Sequence, residues 1–122
     1  MPTAEHIRNV FARYCELVTA GDFDAIAQLY AEDATVEDPV GSTPHRGRAA
    51  IREFYRASAG MARLELEGRV RTADHAGAAA MIARPVADVS LRVETLDVMR
   101  FGADGLITAM HAYWSADTIL RD

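Results

Sequence analysis

The chain has 122 residues, 50% of them hydrophobic, a net charge of -5 and a single cysteine, Cys15. That is enough for one domain, 1–122, with one real core and no intrachain disulfide. The acidic balance argues against nucleic acid as a partner, and no apolar run approaches a membrane span. The Cys/His pattern holds no zinc spacing, and Met1–Glu5 lacks a signal-peptide pattern, so a soluble, cytoplasmic protein is expected.

Thr3 is placed as an N-cap, after which Ile7, Val10, Phe11, Tyr14, Leu17 and Val18 recur at helical spacing until Gly21. Asp22 caps a second, shorter helix ending near Ala31, with Phe23, Ile26, Leu29 and Tyr30 on one face. Ala34 to Asp38 alternates as a strand and runs into a turn at Pro39 to Ser42. Gly47 precedes a third helix whose apolar side carries Ile51, Phe54, Tyr55 and Ser58. From residue 62 the period becomes alternating: Leu64, Leu66 and Val70 share a parity, and Asp74 to Gly77 is a turn. Ala78 to Arg84 is a short apolar strand, and Pro85 to Asp88 connects it to the next. After the turn Gly102 to Gly105, Leu106 to Ser115 forms the last strand. Three helices followed by about four strands predict an α+β fold, a cone in which helices pack on a curved, mostly antiparallel sheet. Both faces of the last strand are largely apolar, which predicts a homodimer through the back of the sheet.

The strand before that last turn holds the most informative residue. Val89, Leu91, Val93, Met99 and Phe101 share one parity, whereas Ser90, Arg92, Glu94 and Arg100 share the other. Successive strand side chains point to opposite faces, so the first set is core-facing, and Asp97 belongs to it. Burial without a cation favours the neutral acid, and a neutral carboxylic acid can donate a hydrogen bond to developing negative charge.

Tyr14, Tyr30 and Tyr55 each lie on the apolar stripe of a predicted helix. Taken singly, each reads as a core tyrosine reaching a backbone carbonyl. Together with Asp97 they can converge on one interior, where buried hydroxyls need partners and can bond one another. Asp38 reads alone as an Asp-Pro turn starter, but at the mouth of an apolar cone it can serve as a carboxylate base. His6, His45, His75 and His111 lack partners at metal or triad spacing, and Cys15 reads as a small structural residue without a cationic neighbour.

Several stretches in order carry a resemblance: Arg13-Tyr14 with Glu16-Leu17-Val18 and Gly21-Asp22, then Ala34-Thr35-Val36-Glu37-Asp38-Pro39 with Gly41. Ile51-Arg52-Glu53-Phe54-Tyr55, Asp97-Val98-Met99-Arg100-Phe101 and Ala112-Tyr113-Trp114-Ser115 follow. Over nearly its whole length the sequence resembles the bacterial steroid Δ5-3-ketosteroid isomerases. These lie within the cone-shaped fold class typified by nuclear transport factor two and scytalone dehydratase. Met61 to Asp88 departs from the family pattern, with a shorter connection at Pro85 to Asp88.

The resemblance implies a steroid substrate and no cofactor or metal. It makes Asp38 the general base and Tyr14 and Asp97 the oxyanion-hole donors, with Tyr30 and Tyr55 supporting Tyr14. Ketosteroid isomerases are themselves the known precedent for a protonated aspartic acid in such a hole. The implied reaction moves a proton from carbon 4 of a 3-oxo-Δ5-steroid to carbon 6 through a dienolate. Val36, Val40, Phe54, Met81, Met99, Phe101, Met110 and Trp114 are the candidates for an apolar wall.

Two other readings stand beside this one. The cone can be a non-catalytic binder of a small apolar ligand, since fold does not give function. It can also be another enzyme of the fold, a polyketide cyclase, dehydratase or epoxide hydrolase. A scytalone-type dehydratase calls for a pocket histidine paired with an aspartate, and an epoxide hydrolase for an Asp-Arg-Asp set; Arg100 and His111 are the residues that could supply them.

Overall fold

The computed structural model describes residues 2–122. Helix α1 (Ala4–Ala20) begins where the Thr3 hydroxyl accepts the His6 N–H at 3.0 Å. It ends at Gly21, whose φ of 76° lets Asp22 N–H reach the Leu17 carbonyl at 3.1 Å. Asp22 accepts from Ala25 N–H to start α2, which runs only over Phe23–Ala27. Helix α3 (Arg48–Ser58) is the third.

The expected end of α2 near Ala31 is corrected: Tyr30 opens strand β1 (Tyr30–Glu37). Its apolar spacing fits a helix, but the chain there pairs with a distant strand. Leu29 C=O accepts from Ile107 N–H at 2.9 Å, and Arg48 donates to Tyr30 C=O at 2.6 and 3.0 Å. Non-local hydrogen bonds override a short helical pattern here.

The other strands are β2 (His45–Arg46), β3 (Ala62–Ala73), β4 (Ala76–Pro85), β5 (Leu91–Phe101), β6 (Ile107–Tyr113) and β7 (Ile119–Arg121). The sheet order is β2-β1-β6-β5-β4-β3, with β7 pairing β5 beside this path. Only β1 and β6 run parallel among these pairs. The result is an α+β fold of helices on a curved mixed sheet that does not close. The 62–85 stretch forms one long hairpin around a two-residue turn, Asp74 and His75, both at positive φ. Ala76 and Gly77 therefore belong to β4 and not to the turn. A Cβ on Gly77 would sit 2.7 Å from both Ile7 and Phe11, so glycine lets α1 lie against β4.

Two parity expectations change. Val89 lies before β5 begins and is 67% exposed, so it is not core-facing. In β6 the pairing skips Thr108, which puts Ile107 inward together with Met110 and Ala112. The bulge thus buries residues of both apolar parities, Ile107 from one and Met110 and Ala112 from the other. Leu96 and Tyr113 remain exposed side by side across β5 and β6.

Candidate active site

A cavity of about 400 Å³ opens between the helices and the inner face of the sheet. Helix α1 supplies Tyr14 and Val18 and α3 supplies Phe54, Tyr55 and Ser58, while β5 lines it with Val93, Thr95 and Asp97 on one face. Asp38 follows the end of β1, and Trp114 follows β6. Ala62, Leu64, Ala83, Pro85 and Ile119 complete the largely apolar mouth.

The three tyrosines form one chain. Tyr14 and Tyr55 hydroxyls are 3.0 Å apart, and Tyr30 and Tyr55 hydroxyls 2.8 Å. With Tyr30 donating to Tyr55 and Tyr55 to Tyr14, the Tyr14 hydrogen is left for the cavity. Tyr30 stands behind the wall and does not line it. Burial pushes all three phenols well above their usual range, so they stay neutral donors. Each link polarises the next, which strengthens the terminal donor.

Asp97 is the one buried charged-type side chain among the described residues, and its sheet neighbours are Ala79 on β4 and Ala112 on β6. Small neighbours leave its carboxyl accessible from the cavity. Burial, with the nearby Asp38 carboxylate, pushes Asp97 up to about 7, against a hydrogen bond from Thr95 at 3.0 Å. Asp38 accepts the Trp114 indole N–H at 2.7 Å. Burial also raises Asp38, opposed by the Trp114 bond and by His45. Two carboxyl groups with different environments therefore share one cavity with a neutral phenol. A carboxylate base and two neutral O–H donors can take a proton from carbon and hold the charge that develops on a ketone oxygen.

Of the wall candidates, Phe54 and Trp114 line the cavity. Val36, Met81, Met99, Phe101 and Met110 are packed into the core beneath it, and Val40 is 39% exposed. Inward parity placed these five on the right face of the sheet, but helices cover that part of it. Thr95 was legible only as a hydroxyl two residues from Asp97 on the same face. The Trp114 to Asp38 bond had no signal in the sequence, because the two residues are brought together by parallel pairing of β1 and β6. Among the described residues no histidine or arginine lines the cavity, and no cluster of His, Cys, Asp and Glu could hold a metal ion. His111 instead lies 3.7 Å from Glu37, and Arg100 is exposed.

Residues 11–110 match the model of the SnoaL-like domain. The chain belongs to the SnoaL-like domain family. Among curated relatives, it is 46% identical over 110 residues to a steroid delta-isomerase of Nocardioides simplex, covering 89% of each chain. That likeness supports an isomerase. It is also 34% identical over 122 residues to the epoxide hydrolase LasB of Streptomyces lasalocidi, covering 93% of this chain but 43% of LasB. Among solved structures, the epoxide hydrolase/cyclase-like enzyme SalBIII, studied for pyran ring formation in the polyether salinomycin, superposes with a TM-score of 0.89. The identity is 28%, and both chains are covered completely. The SnoaL-like fold therefore hosts more than one chemistry. No helix among the described residues is long and apolar enough to cross a membrane.

Proposed function

We propose that this chain is a steroid Δ5-isomerase that converts 3-oxo-Δ5-steroids to 3-oxo-Δ4-steroids. The observation that carries the reading is the convergence of Asp38, Tyr14 and Asp97 on one apolar cavity, in a chain 46% identical to a steroid delta-isomerase. Asp38 takes the proton from carbon 4. The electron pair moves toward the ketone, and the dienolate oxygen accepts hydrogen bonds from Tyr14 and from protonated Asp97. Asp38, now neutral, returns the proton to carbon 6, and the double bond becomes conjugated. Catalysis is greatest when the donors are pre-aimed in a dry site, and Tyr55 and Tyr30 hold Tyr14 in place.

The cavity volume falls within the range of small-molecule sites, and a largely apolar wall suits a flat hydrocarbon skeleton. The exposed Leu96 and Tyr113 on the opposite face of the sheet would be covered in a homodimer. The likeness to LasB and SalBIII favours a second reading, an epoxide-opening enzyme. Against it, the cavity wall has aspartates but no arginine to complete an Asp-Arg-Asp set. Incubation with a 3-oxo-Δ5-steroid, followed by the absorbance of the conjugated enone, tests the assignment. A rate no faster than buffer removes the steroid substrate.

A further inference from the structure

Thr95 and Asp97 stand two residues apart on the cavity face of β5, and the Thr95 hydroxyl is 3.0 Å from Asp97 Oδ1. A carboxylic acid has two oxygens and one proton. A donor held against Oδ1 makes that oxygen an acceptor and leaves Oδ2 to carry the hydrogen. We infer that Thr95 is a positioning residue which holds Oδ1 as acceptor and so presents the Asp97 proton on Oδ2 to the ligand oxygen.

The surroundings leave Thr95 as the one side chain within hydrogen-bond distance of Asp97 among the described residues. On the adjacent strands, the residues paired with Asp97 are Ala79 and Ala112, which have no polar side-chain atoms. The other titratable groups that act on it or feel its charge are Asp38, Tyr14, Tyr30 and Cys15, and none is hydrogen-bonded to it. Asp38 raises Asp97, whereas the Thr95 bond lowers it. Thr95 therefore has two coupled effects. It orients the acid, and it keeps Asp97 a better donor than an apolar wall would allow.

The kinetic part of this inference rests on the isomerase reading; the titration does not. Thr95→Val keeps the shape and removes the hydroxyl, and Thr95→Ser keeps the hydroxyl and removes the methyl. Carboxyl-carbon NMR of the ligand-free protein should show the Asp97 midpoint rising by about half a pH unit or more in Thr95→Val and staying near wild type in Thr95→Ser. An unchanged midpoint in Thr95→Val, or equal shifts in both variants, overturns the inference whatever reaction the protein performs. With a 3-oxo-Δ5-steroid, kcat should fall about five-fold in Thr95→Val with KM little changed, and recover in Thr95→Ser. The alkaline limb of the kcat profile should move to higher pH in Thr95→Val. A wild-type protein that turns over no steroid removes the isomerase reading and leaves the titration result standing.

Discussion

Trp114 donates its indole N–H to Asp38 at 2.7 Å, so the same side chain is both apolar wall and hydrogen-bond donor to the proposed base. That bond opposes the burial that raises Asp38. Trp114→Phe keeps an aromatic wall and removes the donor. The acid limb of kcat/KM, which reports ionisation of the base in the free enzyme, should shift to higher pH. The loss of activity should therefore be larger at pH 5 than at pH 8. Equal losses at both pH values would mean that Trp114 acts through packing alone.

Asp38→Asn removes the proton acceptor while keeping nearly the same shape. Turnover should fall by a factor of about a hundred or more, the lower end of what general base catalysis contributes. Binding of a phenolic steroid, which mimics the dienolate, should persist because Tyr14 and Asp97 remain. Equilibrium fluorescence titration alongside the enone assay separates the two effects. Near-normal turnover would remove Asp38 as the base.

Tyr55 joins Tyr14 to Tyr30, so Tyr55→Phe cuts the chain at its centre and leaves two buried phenols without partners. The cost to stability should be about 1–3 kcal/mol, the usual penalty for an unsatisfied buried group. Activity should fall less than in Tyr14→Phe, since Tyr14 keeps its own hydrogen for the ligand. Urea unfolding and steady-state kinetics on both variants check this order.

Asp97 makes stability depend on pH in a direction that can be worked out. Its folded value of about 7 lies above the ordinary 3.8, so between these values the folded protein binds more protons than the unfolded chain. The Asp97 contribution to stability is then greatest below pH 4, falls as pH rises, and levels off above pH 7. The integrated effect is on the order of 4 kcal/mol, reduced in practice by residual structure in the unfolded state. Asp38, raised by the same burial, adds a slope of the same sign. Asp97→Asn should remove most of the slope and leave the part due to Asp38. Urea midpoints measured from pH 4 to pH 8 test this, and an equally steep fall in Asp97→Asn would assign the slope elsewhere.

The exposed pair Leu96 and Tyr113 makes the outer sheet face the expected dimer surface. Leu96→Glu would place a charge at its centre. Sedimentation should show a wild-type dimer and a variant shifted to monomer, with the tyrosine chain and cavity residues untouched. A wild-type monomer at micromolar concentration would rule the dimer out.

Much of this protein was legible in its sequence. The stripe of α1, the capping by Thr3 and Gly21 and the alternation of β5 depend on neighbours a few residues away, where helix and strand periods decide which side chains point inward. That local periodicity was enough to place Asp97 on an interior face. Tertiary structure decided the rest. Tyr30 left its helical pattern because β1 pairs with β6, and the bulge at Thr108 turned Ile107 inward beside Met110 and Ala112 of the other parity. Inward parity could not tell the cavity wall from the core beneath it, which is why Phe54 and Trp114 face the cavity while Val36, Met99 and Met110 are covered. The contacts from Trp114 to Asp38 and from Tyr30 to Tyr55 span 76 and 25 residues. Such contacts form only when the sheet and helices pack, because a hydrogen bond requires an approach that no local period specifies.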